Sequence, residues 1–310
     1  MKGKAGVKRR VFLAGGGAMA AAAGLAGWRA LRPQADPAPM AGLDDAAFRA
    51  IYADPPAIVP PGRVYHLGHS LVGPDMPVML AAALGHGFDS QIGWGTSLRD
   101  HWQDEVKGLE ATRPADEALA GGGYDAVILT EMVELKDAIR WHGAAEHLAK
   151  WVARARAGNP QARVLLYETW HRLDDPAGWL ERVEGDRAAL WEAALLRPAL
   201  AQAGGVIHVI PGGPVLAAAA RAAESGALPG IADRRAFFSD EIHPGDLGAW
   251  LIAMTHAAVL TGQSPEGLPA RLPKRDGTLA GAPSDAVAAA LQRLVWSGVT
   301  AYPPTGVRAG

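Results

Sequence analysis

The chain has 310 residues, 49% of them hydrophobic and 20% charged, which suits a buried core and excludes a disordered or many-spanning membrane protein. It has no cysteine, so disulfides, thiolate metal sites, iron–sulfur clusters and a cysteine nucleophile are excluded. The net charge is −2, with no basic patch beyond the N-terminus, which argues against a nucleic-acid partner.

The basic residues are unevenly spread. Residues 1–35 hold seven of them and no acid; without those seven, 23 basic residues face 32 acidic ones, a net charge of −9. The segment reads KRRVFLA at 8–14 and then runs on in alanine and glycine to Gly27. A basic region before a short apolar one is the pattern of an export signal. The Arg9-Arg10 pair before Val11-Phe12-Leu13 resembles a twin-arginine signal, which implies a periplasmic or secreted protein. We expect residues 1–34 to be this signal, either cleaved or kept as an N-terminal anchor and then the chain's link to a membrane. Residues 35–61 are proline-rich and read as linker, with one helical piece at 44–52.

The domain is expected over 62–300, with 301–310 as a tail. Predicted strands are 63–67 (RVYHL), 89–92, 124–129 (YDAVIL), 163–167 (RVLLY) and 206–210 (VIHVI). Predicted helices are 75–84, ending at Gly85, then 144–157, a long one at 179–203 with a break near Pro198, 247–260, and 284–295 capped by Ser284. Short apolar strands alternating with helices imply an α/β fold with a mainly parallel, doubly wound sheet. In such sheets the site lies beyond the carboxyl ends of the strands.

The first strand is followed by Gly68-His69-Ser70-Leu71. Ser70 is either a helix cap or a hydroxyl lifted above the sheet edge, where a base is needed to activate it. Residues 237–250 read FFSDEIHPGDLGAW. Asp240, three residues before His243, has the reach to hold Nδ1, which frees Nε2 to take a serine proton. The order Ser, Asp, His is known for such triads.

Together these blocks resemble the SGNH, or GDSL-type, hydrolase family: GHSL stands for GDSL, and DEIHP for the Asp-x-x-His block. The resemblance spans residues 62–262. It implies a three-layer α/β/α sandwich, Ser70 as nucleophile, His243 as general base and acid, and Asp240 as its orienter. It implies an oxyanion hole made by the Ser70 amide, a block II glycine and a block III asparagine. In QIGWGTSL, 91–98, Gly95 is the first candidate and Gly93 the second. Block III departs from the family. Thr130-Glu131-Met132 stands where Gly-x-Asn-Asp is usual. An ionised Glu131 repels an oxyanion, whereas a protonated one donates to it; Thr130 and main-chain amides are the alternatives.

Further residues expected near the substrate are His69, beside Ser70; Trp94 and Trp170, as stacking faces; Thr130; and Glu168, at the same sheet edge as Glu131. Trp102 and Trp141 fall near that edge too, whereas Trp191, Trp250 and Trp296 have core spacing. Glu134 and Asp137 read as a solvated face. No cofactor and no metal is expected.

The leading reading is an exported serine esterase acting on a small-molecule or glycan ester, such as an acylated carbohydrate or a cell-envelope glycan. A non-catalytic glycan-binding module and an O-acyltransferase on the same fold are the alternatives. A third is a metal-dependent hydrolase using Glu131, Glu168 and His171.

Overall fold

The computed structural model describes residues 40–108 and 110–309. The expected export signal at 1–34 lies outside the described residues. The chain runs through α1 (Asp45–Ile51), β1 (Arg63–His69), α2 (Asp75–Leu84), β2 (Gly87–Gly93), α3 (Leu98–Trp102), β3 (Glu110–Ala111), α4 (Ala115–Ala120), β4 (Ala126–Leu129), α5 (Leu135–Trp141) and α6 (Ala144–Gly158). It continues through β5 (Arg163–Glu168), α7 (Trp179–Asp186), a π-helical stretch (Arg187–Leu196), α8 (Arg197–Ala203), β6 (Ile207–Pro211), α9 (Gly212–Glu224), α10 (Asp246–Thr261) and α11 (Asp285–Thr300). Among the described residues no helix is long and apolar enough to cross a membrane.

The strands form one sheet in the order β3-β2-β1-β4-β5-β6. All neighbours pair in parallel except β3, which runs antiparallel at the edge. Successive residues of a strand face opposite sides, and both sides here are apolar. Val64, Ile128, Leu165 and Ile210 pack under α2, α7, α9, α10 and α11. Tyr65, Leu67, Val127, Leu129, Leu166 and Val209 pack under α1, α3 to α6, the π stretch and α8. The result is the expected α/β fold with a mainly parallel sheet between two helical layers.

Connections leave β1 outward in both directions, so the order reverses between β1 and β4. A crevice opens there beyond the strand ends. It needs close backbone approach: a Cβ on Gly68 would sit 2.6 Å from Thr130 Cβ, so only glycine lets β1 end this near β4.

Several elements differ from expectation. The helix expected at 179–203 does not break; it widens into the π stretch and resumes as α8, with Pro198 in the first turn of that helix, where a missing N–H is tolerated. α9 begins on Gly212-Gly213, where the sequence predicts no helix. Here the glycines allow the helix start to pack against Tyr167 and the Thr169 carbonyl. α3, α4 and α5 are five to seven residues long, too short to show a helical period. The described part of the expected linker joins the fold: α1 is capped by Asp44, its Phe48 is buried, and Tyr52 donates to the Ile207 carbonyl at 2.6 Å. The expected tail is built in as well. Tyr302, Pro304, Thr305 and Val307 are buried, and Tyr302 donates to Glu192 at 2.9 Å.

Candidate active site

The end of β1 is held by two histidines. His101, in α3, donates from Nε2 to the Gly68 carbonyl at 2.8 Å, while its Nδ1 accepts from Gln91 at 2.9 Å. His69 donates from Nε2 to the Glu131 carbonyl at 2.9 Å, and its Nδ1 faces the Leu71 amide at 3.4 Å. Burial pushes each imidazole down to about 4, so both stay neutral and keep these donor roles at ordinary pH. Ser70 follows, half-buried, in the turn to α2.

The loop before α10 brings the remaining pieces. Asp240 Oδ1 accepts the amides of Ile242 at 2.8 Å and His243 at 2.7 Å, and Oδ2 lies 2.7 Å from His243 Nδ1. His243 Nε2 lies 3.0 Å from Ser70 Oγ. Burial raises the Asp240 carboxyl, but the His243 ring and the two amides outweigh it and hold the group at about 2. Asp240 is therefore ionised and accepts the Nδ1 proton, which leaves the Nε2 lone pair facing the serine hydroxyl. Trp170 donates to the Ile242 carbonyl at 2.8 Å and Leu173 to the Glu241 carbonyl at 2.7 Å, so the loop is braced from the β5 side.

Ser70, Asp240 and His243 share the wall of a cavity of about 380 Å³ with Val72, Met76, Ile92, Gly93 and Trp94. Of the two block II glycines, Gly93 lines this cavity; Gly95 lines another, which Trp94 also lines. Of the side chains expected near substrate, Trp94 alone lines it, 60% exposed. His69, Thr130, Glu168 and Trp170 are buried and act, where they bond at all, on their neighbours. Trp170 supports the histidine loop instead of offering a stacking face.

Glu131 is fully buried and does not reach this cavity. Its Oε1 accepts the amides of Met132 at 2.8 Å and Leu98 at 3.2 Å, clamping the start of α3 to the end of β4. Burial, opposed in part by those amides, pushes its carboxyl up to about 7. Its ordinary value is 4.5, so the unfolded chain ionises there while the native chain keeps its proton. Stability contributed by the protonated group is present below 4.5 and is lost as pH rises toward 7. Glu131→Gln keeps the acceptor and removes the charge. Relative to the wild type it is expected to gain about 2–3 kcal/mol of stability between pH 4.5 and pH 8, read from urea unfolding. Glu131→Ala orphans two amides and leaves a void, at a cost of about 2–4 kcal/mol. Parallel pH profiles for Glu131→Gln and wild type would sink this account.

Glu131, Glu168 and His171 are not drawn into one cluster. Glu168 is also pushed up to about 7, by burial, and faces Arg187 at 3.5 Å. His171 lies 3.0 Å from both Glu134 and Asp186. Glu134, His171 and Asp175 do sit close enough for a cation, but Arg182 already fills that place, 2.8 Å from Glu134, 2.8 Å from Asp175 and 2.7 Å from Asp186. Glu134 thus belongs to an ion-pair network and not to a solvated face. Its carboxyl is held down at about 2 by the His171 ring 3.0 Å away, with Arg182 adding to it against burial.

No family model matches the chain, and no curated protein matches it. Its fold is similar to that of a DUF4886 family protein from Bacteroides uniformis ATCC 8492, with a TM-score of 0.55 and 16% identity over 78% of this chain and 95% of that one. It is more distantly similar to a GDSL-like lipase from Parabacteroides merdae ATCC 43184, with a TM-score of 0.42 and 14% identity over 67% of this chain and 99% of that one. A carbohydrate esterase family 3 from Talaromyces cellulolyticus follows at 0.38 and 14%, over 64% and 95%. At such identities the likeness is one of fold.

Proposed function

We propose that the chain is an exported serine esterase that works through an acyl-enzyme on Ser70. One observation carries the reading: Asp240, His243 and Ser70 stand in hydrogen-bond sequence, at 2.7 and 3.0 Å, on the wall of a cavity at the carboxyl end of the sheet. In the proposed reaction Ser70 Oγ attacks the ester carbonyl carbon as His243 Nε2 takes its proton. The Ser70 amide and an amide of the turn at 93–95 meet the oxyanion. The Trp94 amide is already bonded to the Lys107 carbonyl at 2.9 Å, so it is not that donor. The Glu131 side chain has no part here, because it serves the amides of Leu98 and Met132. When the intermediate collapses, the carbon–alkoxy bond breaks and His243 returns its proton to the leaving alcohol. Water then repeats the attack with His243 as base, the acid leaves, and Ser70 regains its proton. Export is proposed from the twin-arginine-like segment and places the reaction outside the bacterial inner membrane.

The test is intact-mass analysis of the full chain after treatment with a fluorophosphonate. The expected result is a single adduct, mapped to Ser70 and absent from Ser70→Ala. No adduct, under conditions that label an ordinary serine hydrolase, would overturn the reading.

A further inference from the structure

Trp94 is an exposed aromatic ring that the fold holds in place. Its amide donates to the Lys107 carbonyl at 2.9 Å. Its indole rests on Gly108, which has φ +59°; a Cβ there would lie 1.8 Å from Trp94 Cδ1. The five-membered part of the indole therefore lies against main chain while the residue remains 60% exposed. This leaves on the order of 100 Å² of apolar surface in water, which a ligand gains by covering.

The ring is also a shared wall. Trp94 lines the cavity of Ser70 and His243, and it also lines a second cavity of about 490 Å³. Five of the nine residues around the second cavity are ionisable: Arg99, Asp100, Glu105, Lys107 and His142. Four of them, Arg99, Asp100, Glu105 and His142, are tied to one another. Arg99 lies 3.6 Å from Asp100 and 3.8 Å from Glu105, and donates to the Trp141 carbonyl at 3.3 Å. Asp100 takes the Ser97 amide at 3.2 Å, and Ser97 Oγ lies 3.0 Å from His142 Nδ1. Donors and acceptors are thus held in position beside an aromatic face.

Such a wall selects against most ligands. An acyl tail needs apolar surroundings, and Met132 and Trp94 are the large apolar side chains here. A phosphate meets the carboxylates of Asp100 and Glu105. A neutral sugar ring fits both halves: its C–H face stacks on an indole, and its hydroxyls both donate to carboxylates and accept from guanidinium and ammonium groups. We propose that Trp94 and the cavity behind it form a pyranoside subsite that carries the sugar part of an acylated carbohydrate while its ester reaches Ser70. The assignment of the sugar as part of the substrate rests on the esterase reading above.

The test uses unacylated sugars, so that binding is read without turnover. Methyl β-glycosides and β-1,4-linked trisaccharides of glucose, xylose and N-acetylglucosamine are titrated into the full chain by saturation-transfer NMR and calorimetry. At least one is expected to bind saturably. Trp94→Ala should weaken it about tenfold or more, since an uncovered indole face is lost. Trp94→Phe should keep binding within about threefold, as a smaller ring still stacks. Gly108→Ala, which displaces the indole from beneath, should act like Trp94→Ala. Absence of saturable binding, or binding unchanged in Trp94→Ala, would overturn the subsite. Fluorophosphonate labelling of the same samples separates the two readings. Ser70 labelling without sugar binding removes the subsite alone. Trp94-dependent sugar binding without labelling supports the subsite and removes the esterase.

Discussion

Ser70→Ala and His243→Ala are each expected to lower kcat for ester hydrolysis by about 10⁴–10⁶-fold, with KM changed little. The reason is that the two act as one unit. A serine hydroxyl is a poor nucleophile at neutral pH, and the group that relieves it is the imidazole nitrogen 3.0 Å away. Removing either partner removes the same step, so the double variant should lose no more than about tenfold beyond the worse single one. The residual rate then belongs to binding and to the amide donors. Ser70 is half-buried in a turn and the His243 ring stands at a cavity wall, so neither variant is expected to shift the thermal midpoint by more than a few degrees. Full-progress kinetics on short-chain acyl esters, with the melting curve beside them, check both halves. Near-wild-type turnover in either variant would remove Ser70 and His243 from the chemistry.

Asp240→Asn should cost about 10³–10⁴-fold in kcat while leaving the fold intact. Asn keeps an oxygen for the amides of Ile242 and His243, so the loop geometry survives. Opposite His243 Nδ1, however, it presents an N–H, which turns the imidazole to the tautomer with hydrogen on Nε2. That nitrogen then points a proton, and not a lone pair, at Ser70. The Asp240 side chain is 54% exposed, so water screens its charge. The loss therefore comes mainly from the tautomer, and it should be smaller than for Ser70 or His243. The rate of fluorophosphonate labelling should fall in parallel, because it needs the same deprotonation. A labelling rate equal to wild type would assign Asp240 to the loop's structure alone.

The parallel strands could be read because their signals are local. The central strands face helices on both sides and are therefore mostly apolar: β4 reads AVIL, and β5 carries VLLY between Arg163 and Glu168. Caps are local too: Ser284 accepts from the Val287 amide and Asp44 from the Ala47 amide, each three residues on. The short helices α3 to α5 could not be read, since a helix of two turns or fewer makes no period of its own and is stabilised by what it packs against. α9 was hidden by glycines that serve a close approach to β5, a contact with no trace in neighbouring residues.

The same division runs through the candidate site. By itself the sequence determined the Asp240–His243 pair, because three residues of chain place those side chains within reach of one another, and it determined the Gly-x-Ser turn after β1. Only the tertiary structure decided that Ser70, 173 residues away, meets the free nitrogen of His243. It also decided that Glu131 turns inward to hold amides while Trp94 turns outward, and that Arg182 occupies the centre of the Glu134, His171 and Asp175 cluster. The physical reason is that direction and burial belong to the assembled layers. A carboxylate at the end of a strand has the same sequence signature whether it faces substrate or a helix start, and the placing of the α3 start beside Glu131 settles which.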